Sequence, residues 1–385
     1  MTEQEKESEN GRTEEVPKKQ YISNDDLYRR SSQFELWSFT QESLEAKKKQ
    51  ANEIGRRIAK QRFDEAYNKL KQENPTIFEI HKQELDANNL ITLLSHEEET
   101  KFIHAYCQNI VQTADYFRMP TQVKLTAISL FKKFYLENSI MEYHPKNIMY
   151  TSVFLAAKSE NYFITIESFI SRLKDVKQED ILDLEFKILE SLKFTLLVHH
   201  AFRPLYGFFL DFQAILLHPS PVMYDVSIDT LGSLYDRAKK WLNEYAILSD
   251  VAFLFTPPQI ALAAMYAIDR RITERYLKEK FLDDHTVNLE SIPEHNDDVK
   301  EEDKDNEALK ASNESSNQRE YCITLIRTIR KCIKLSKLDN PTPEESKEIG
   351  KRCKAALNPD KVIERRVKKL AAPTTTTTNT TTTTT

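Results

Sequence analysis

The stretch "HPKNIMYTSVFLAAKSEN" (His144–Asn161) is apolar on nearly every side when it is drawn as a helix. Its proline favours the first position of a helix, where no backbone N–H donor is needed. Ser152, Ala156 and Ala157 are small enough to let neighbouring helices approach closely. Because a helix without a polar face is buried among others, this segment predicts the centre of a helical bundle.

Segments with a single apolar stripe surround this central helix. Ser95 and Glu98 have the spacing of a capping box, which predicts the start of a first helix, and Pro120 opens a second. Two more helices are predicted at 165–173 and 178–194. The apolar positions of the last one are Ile181, Leu184, Ile188, Leu189 and Leu192. This part of the chain therefore predicts five helices with the third in the centre.

The same pattern recurs further along the chain. Placing Pro257 over Pro145 puts Ala264 over Ser152 and Arg270 over Lys158, so each central helix would end on a cation. A lysine pair and an aromatic residue, "KKF" or "KKW", precede both. The fourth and fifth helices of this second unit are predicted in "TERYLKEKFL" (273–282) and "REYCITLIRTIRKCIKLSKL" (319–338). Two matching five-helix units indicate an internal duplication.

The composition indicates an all-α fold. The chain of 385 residues contains only five glycines. Hairpin turns and phosphate-binding loops need glycine for its positive φ, so β-rich folds, Rossmann enzymes and P-loop enzymes are disfavoured. The sequence predicts a disordered or extended arm at 1–37 and an N-terminal helix at 38–72, opened by Ser38 and Gln41. The two units are predicted at 90–200 and 201–340, and the second contains an acidic disordered insertion at 284–317. A C-terminal helix at 341–370, interrupted near Asn358-Pro359, and a poly-Thr disordered tail at 371–385 complete the prediction.

Charge and cysteine usage point to an intracellular, soluble protein without an intrinsic affinity for nucleic acid. The net charge is −5 and the isoelectric point is near 6.1. The four cysteines form no CxxC pair, which disfavours a zinc ribbon or a disulfide framework. The N-terminus is too polar for a signal peptide, and no apolar run approaches the roughly 18 residues of a membrane span.

The sequence offers no recognisable catalytic motif. "HEEET" at His96 is not a zinc-protease motif, His96 and His104 are too far apart to share a metal, and His199 and His200 point to different sides. We therefore expect no catalytic residue, no cofactor and no metal, and expect the histidines to be structural or solvated. The basic clusters at Lys351–Lys354 and Glu364–Leu370 are interpreted as a solvated helix end, or alternatively as a nuclear-import or acidic-partner patch.

Several quoted segments resemble one branch of a known family. The segments are "SSQFELWSF" (31–39), "FKKFYLENSIMEYHP" (131–145), "FLAAKSEN" (154–161), "VHHAFRPLYGFFLDF" (198–212) and "FTPPQIALAA" (255–264). In order and spacing they resemble the cyclin H family, and the poly-Thr tail and acidic insertion suggest a fungal member. The resemblance implies two tandem five-helix cyclin boxes with extra N-terminal and C-terminal helices. In this arrangement Phe131 and Phe134 would fill the core, while Lys132 and Lys133 would be solvated.

The resemblance also implies a non-catalytic role. It indicates the regulatory subunit of the kinase that activates cyclin-dependent kinases, which is also the kinase module of the transcription factor TFIIH in the nucleus. The implied partners are a cyclin-dependent kinase catalytic subunit, a RING-finger assembly factor and the TFIIH core, without direct nucleic-acid or membrane binding. The implied kinase targets are the C-terminal domain of RNA polymerase II and the activation loops of cyclin-dependent kinases.

Four residues match positions through which family members bind the kinase. The lysine at the end of the third helix corresponds to Lys158, the glutamate of the fifth helix to Glu185, and the two apolar contact positions to Leu155 and Leu189. Without the resemblance, Lys158 would be interpreted as a cation that stabilises the C-terminal end of the helix dipole, and the two leucines as core residues.

The chain also departs from the family pattern. Cys107 and Gln108 lie where many cyclins carry an arginine in the first helix, so we expect no groove that recruits short basic substrate motifs. Ser159 replaces a larger apolar residue, which would weaken that contact with the kinase.

Two other functions remain open from the sequence. One is a cyclin-box general transcription factor that binds DNA, although such proteins need a zinc ribbon and a basic surface. The other is a different transcriptional cyclin or a plain helical scaffold.

Overall fold

The structure is a computed structural model that describes residues 24–81, 83–85, 90–217, 226–282, 310–338 and 340–371. Within these ranges all regular structure is helical and no β-strand occurs. The predicted all-α class with two tandem five-helix units is confirmed. Residues 1–23 of the predicted arm, most of the predicted insertion and the Thr-rich tail from residue 372 onward lie outside the described residues.

The N-terminal segment contains the helices α1 (Asn24–Arg29), α2 (Ser32–Trp37), α3 (Gln41–Glu73) and α4 (Pro75–Ile80). The prediction of a disordered arm up to residue 37 is therefore wrong for residues 24–37. Trp37 is 1% exposed and donates from its indole N–H to the Thr195 hydroxyl at 3.0 Å, and the Gln33 side chain exchanges two hydrogen bonds with the backbone of His199. These contacts with the first unit hold the segment in place.

The start of the long helix α3 also differs from the prediction. Thr40, not Ser38, caps it by accepting a hydrogen bond from the Ser43 backbone N–H, while Ser38 is the extended residue that ends α2. The sequence contains two hydroxyl residues at similar spacing, and the backbone geometry after the buried Trp37 decides between them.

The first unit comprises α5 (His96–Tyr116), α6 (Thr121–Glu137), α7 (Pro145–Ser159), α8 (Ile166–Ile170) and α9 (Glu179–Ser191). The capping box of Ser95 and Glu98 is present with both of its hydrogen bonds. As predicted, α7 lies in the centre, and its residues Ile148, Val153, Ala156 and Ala157 are completely buried. An interior helix of this kind explains why the sequence lacks a polar face there.

The prediction that Lys132 and Lys133 are solvated is wrong. They are 5% and 2% exposed, whereas Phe131 and Phe134 are completely buried, as predicted. Helix α6 packs against α5 and α7 and also against α3, so no face of its middle turns remains for solvent. Lys133 lies against the Trp37 ring of α2, and Lys132 contacts Asp250 of the second unit, so elements outside the first unit bury a lysine pair that an isolated five-helix unit would expose.

The second unit comprises α10 (Phe202–Leu216), α11 (Ile228–Trp241), a π-helical turn (Leu242–Ala246), α12 (Val251–Leu254), α13 (Pro257–Ile268), α14 (Arg270–Phe281) and α15 (Lys310–Leu335). Contrary to the alignment with Lys158, Arg270 does not end the central helix α13. Asp269 caps α14 through the Ile272 backbone N–H, and Arg270 in its first turn contacts Glu274 at 2.7 Å. In the second unit only Asp269 separates α13 from α14, whereas a longer loop separates α7 from α8 in the first unit.

Helix α15 begins earlier than predicted. The acidic insertion was expected to extend to residue 317, but the helix starts at Lys310; the part at 284–309 lies outside the described residues. Cys322, Ile326 and Ile329 anchor the helix in the core. Once a helix is nucleated by packing, extending it by a few polar residues costs little, which explains the additional turns.

The C-terminal helices α16 (Pro343–Leu357) and α17 (Pro359–Ala371) are separated at Asn358-Pro359, where the sequence predicts an interruption. Helix α16 packs on α5 and α17 on α3. Arg352 donates to both carboxylate oxygens of Glu98 at 2.5 and 3.0 Å and to the backbone carbonyls of Thr92 and Leu93. For Arg352 both interpretations of the basic cluster are therefore wrong, because its guanidinium ties α16 to the first unit.

Helix α3 approaches the first unit closely at Gly55, so a small substitution there is predicted to have a strong effect. A Cβ atom added at Gly55 would lie well inside van der Waals contact with Ser139, which is completely buried. We expect Gly55→Ala to lower the free energy of unfolding by about 1–3 kcal/mol in guanidinium titrations, although alanine favours a helix by about 1 kcal/mol. Gly232→Ala is the control because nothing lies within 4 Å of its added Cβ. Equal stability of the two variants would contradict the close approach.

Candidate protein-binding surface

The candidate surface lies where α7 and α9 pack against each other in the first unit. Ile181 and Ile188 of α9 are completely buried and turn one face of that helix inward. The spacing of Leu182, Glu185, Phe186 and Leu189 places them together on another face of α9, since residues three and four apart are neighbours on a helix. This second face borders the C-terminal end of α7.

The structure brings two of the four predicted residues into direct contact. The Lys158 ammonium forms an ion pair with the Glu185 carboxylate and lies 4.8 Å from the centre of the Phe154 ring. The side chain of Lys158 is 45% exposed and that of Glu185 is 18% exposed. Lys158 is also in the last turn of α7, where a cation stabilises the helix dipole. The ammonium group of the pair is therefore accessible to a partner.

The two predicted leucines differ in their accessibility. Leu155 is 4% exposed and belongs to the core of the first unit. Leu189 is half-buried at the edge of the same core. Leu155 therefore acts mainly by packing α7, whereas Leu189 retains surface for a partner.

Sequence reasoning missed the largest apolar groups of this surface. Phe186 is 67% exposed, Leu182 is 38% exposed, and the Phe186 ring lies 6.1 Å from that of Phe194, which is 62% exposed. Phe163, in the segment after α7, is 95% exposed. Exposed aromatic rings in a group mark protein-binding surfaces. A second stripe of apolar residues at positions 182 and 186, beside the core stripe, is the signal that could have found them.

The buried titratable groups elsewhere have structural roles. His144 caps α7 by accepting from the Lys146 backbone N–H, and burial lowers its pKa to about 4. Burial raises the pKa of the Cys107 thiol to about 12. The Asp250 carboxylate contacts Lys48 at 2.9 Å, His104 at 3.3 Å and Lys132 at 3.6 Å. This cluster joins α3, α5 and α6 to the second unit.

The described part of the chain contains no group of three or more histidine, cysteine, aspartate or glutamate residues placed to hold a metal ion. None of its helices combines the length and apolar character that crossing a membrane requires. The α7–α9 surface itself offers exposed apolar side chains and the Lys158–Glu185 ion pair for contact with a partner.

Two family models match consecutive parts of the chain. Residues 76–197 match the N-terminal domain of cyclins, and residues 200–337 match the cyclin C-terminal domain. These ranges contain the first and second five-helix units.

Curated relatives and solved structures agree with these matches. Cyclin CCL1 of Saccharomyces cerevisiae is 40% identical over 268 residues, which cover 69% of this chain and 64% of the relative. Cyclin mcs2 of Schizosaccharomyces pombe is 34% identical over 66% of this chain and 73% of its own length. The putative cyclin-H of Dictyostelium discoideum is 31% identical over 62% of this chain and 74% of the relative.

Two solved complexes contain similar chains. A chain of the CAK complex of Chaetomium thermophilum, bound to ATP-γ-S, is 25% identical with a TM-score of 0.62, covering 92% of this chain and 91% of that one. A chain of the yeast TFIIK complex (Kin28/Ccl1/Tfb3) is 32% identical with a TM-score of 0.55, covering 80% of this chain and 100% of that one. With two cyclin domains in tandem and relatives of the cyclin H branch, the chain belongs to the cyclin family.

Proposed function

We propose that this cyclin is a non-catalytic regulatory subunit that binds and activates a cyclin-dependent kinase through the α7–α9 surface. The observation that carries the proposal is the exposed face of α9, where Phe186 and Leu182 flank the Lys158–Glu185 ion pair. A monomer gains nothing from leaving two large apolar side chains in water beside an oriented charge pair. A partner that covers them would gain both apolar burial and a polar anchor.

Activation would act through the position of one kinase helix. Kinases need an ion pair between the lysine of strand β3 and the glutamate of helix αC, and the position of αC controls it. In this proposal Phe186, Leu182 and Leu189 bury the apolar side of αC, and Lys158 and Glu185 bind polar groups of the kinase next to it. Leu155 supports this surface from below by packing α7.

The similarity to cyclin CCL1 supports a more specific proposal about the complex. The yeast TFIIK complex contains Kin28 and Tfb3 beside Ccl1. We expect this chain to bind a kinase corresponding to Kin28 and an assembly subunit corresponding to Tfb3, and to act with the TFIIH core in the nucleus. The expected substrates are the C-terminal domain of RNA polymerase II and the activation loops of cyclin-dependent kinases.

Reconstitution tests this function directly. The full chain is purified with its co-expressed kinase and assembly subunit, and phosphorylation of polymerase C-terminal-domain peptides is measured with and without the chain. We expect strong activity only in its presence. Identification of a different co-purifying kinase by mass spectrometry would indicate another transcriptional cyclin. Salt-dependent binding of the isolated chain to DNA would instead favour the general transcription factor.

Truncating the exposed ring of α9 should weaken kinase binding. We expect Phe186→Ala to raise the Kd for the kinase about tenfold, since a buried aromatic anchor contributes 1 kcal/mol or more to binding. The stability of the free chain should be unchanged because the ring is 67% exposed. Ile228→Ala, which removes a 64% exposed apolar side chain from the second unit, is the matched control. Equal affinity of both variants would place the kinase elsewhere.

A further inference from the structure

A small cavity lies between the two units and beneath helix α2. Its volume is ≈ 70 Å³, and Trp37, Lys133, His199 and Phe253 are among the residues that line it. One water molecule needs roughly 10–15 Å³ of such space. The cavity therefore has room for about five atoms other than hydrogen, which excludes a nucleotide or a peptide backbone and admits a small ion or a single phosphoryl group.

The ionisable side chains that line this cavity are all bases. They are Lys132, Lys133, His199 and His200, and no aspartate or glutamate is among the described residues that line it. Lys132 donates a hydrogen bond to the backbone carbonyl of Ser249 and forms an ion pair with Asp250 at 3.6 Å. His200 contacts the Thr126 hydroxyl at 2.9 Å, and that hydroxyl donates to Glu160 at 2.6 Å. The hydrogen-bond partners of these two bases are thus accounted for.

Lys133 and His199 lack such partners. Lys133 is 2% exposed, and its ammonium nitrogen has no hydrogen-bond partner within the described part of the chain. The Nε2 atom of His199 is also buried without a partner. Burying an ammonium group without an acceptor is unfavourable in free energy. The Lys133 ammonium lies 5.4 Å from the centre of the Trp37 ring, and this cation–π contact offsets only part of that free energy.

The electrostatics agree with a missing negative charge. Burial lowers the pKa of Lys133 to about 8, with no contribution from a neighbouring carboxylate. Burial also lowers the pKa of His199, and the nearby charges of Arg203 and Lys133 lower it further. The cavity therefore brings these two bases to a space that contains no anion from the described side chains.

We infer that this cavity is a binding site for one small oxyanion of the phosphate or carboxylate type, held by Lys133 and His199. An oxyanion accepts hydrogen bonds without donating any when fully ionised, so it complements two buried donors. It would also connect α2, α6 and the linker between the units, because the cavity is lined from all three. The site is separate from the α7–α9 surface, and the inference does not depend on the proposed kinase.

Calorimetric titration of the full chain tests the inference. Inorganic phosphate, acetate and a short phosphoserine peptide are titrated separately at constant ionic strength in a chloride buffer. We expect saturable one-to-one binding of phosphate or acetate, at least tenfold weaker in Lys133→Met. Binding of a free ion without binding of the peptide identifies a free ion as the ligand, and binding of the peptide identifies a phosphorylated side chain.

Lys193→Met is the matched control. Lys193 also lies over the Trp37 ring, at 5.7 Å from its centre, but its side chain is 53% exposed and it pairs with Glu137 at 3.7 Å. This variant should bind the anion as the wild type does. Lys133→Met should remain folded by circular dichroism, because it removes a buried charge without a partner and keeps a similar volume. Absence of saturable binding to the wild type, or equal binding by Lys133→Met, would overturn the inference.

Discussion

Asp250→Asn is expected to lower the free energy of unfolding by about 3–5 kcal/mol, because it leaves the ammonium groups of Lys48 and Lys132 without their counter-charge. The carboxylate contacts Lys48 at 2.9 Å, Lys132 at 3.6 Å and His104 at 3.3 Å, and the side chains of Lys132 and His104 are 4% and 9% exposed. Guanidinium titration of the full chain measures the loss. A neutral amide keeps the shape but cannot offset these charges.

The pH dependence of this effect follows from the pKa of Asp250. Burial alone would raise this pKa, but the charges of His104, Lys132 and Lys48 outweigh burial and hold it well below 3.8. A carboxyl group with a lowered pKa contributes stability above its unfolded pKa and loses it as the pH falls through the folded value. The stability that the Asp250 carboxylate itself contributes should therefore be present above its unfolded pKa of about 3.9 and be lost only as the pH falls through the lower folded value.

Two further variants distinguish the stability that the Asp250 cluster contributes from the general effect of removing a surface charge. Asp236→Asn removes an exposed carboxylate of α11 and should change stability by less than about 0.5 kcal/mol. Adding Lys132→Met to Asp250→Asn should cost less than the sum of the two single changes, because both remove the same interaction. A loss below about 1 kcal/mol in Asp250→Asn, or strict additivity, would show that the cluster does not hold the units together.

The elements that were predicted correctly are those whose signal is local. Helix α7 was recognised because a proline start and apolar residues on all sides are visible within one segment. The same holds for the capping box of Ser95 and Glu98. The burial of Lys132 depends instead on Asp250, and the order of α2 depends on the contact of Gln33 with His199, 166 positions away. Such long-range partners leave no periodic trace in the sequence.

The candidate surface was predicted in part for the same reason. The family resemblance supplied Lys158 and Glu185, which the structure brings together. It could not show that Leu155 is 4% exposed or that Phe186 is 67% exposed. Both residues are apolar and lie within helices, so periodicity alone treats them alike. The sequence shows that α9 carries two apolar stripes, but only the packing of α7 against α9 decides which stripe is core and which remains in water.

Reversing the charge of Lys158 alone is expected to weaken kinase binding and activation at least a hundredfold. In Lys158→Glu two carboxylates would face each other under the bound kinase, and a buried charge without a partner costs about 3–5 kcal/mol. The free chain should lose only about 1 kcal/mol of stability, because the Lys158 side chain is 45% exposed and surface pairs contribute little. Kinase assays and binding titrations on the reconstituted complex, with thermal unfolding of the free chain, separate the two effects.

The double variant Lys158→Glu with Glu185→Lys decides what the pair does. It restores an ion pair of opposite orientation, so the stability of the free chain should return to that of the wild type. Kinase activation should nevertheless stay low, because the proposed polar groups of the kinase would now meet the wrong charges. If activation recovered together with stability, Lys158 and Glu185 would serve only each other, and recognition would rest on Phe186 and its apolar neighbours. Lys187→Glu, which reverses a lysine of α9 that pairs with Glu190 at 3.0 Å, controls for a general change of charge on this helix.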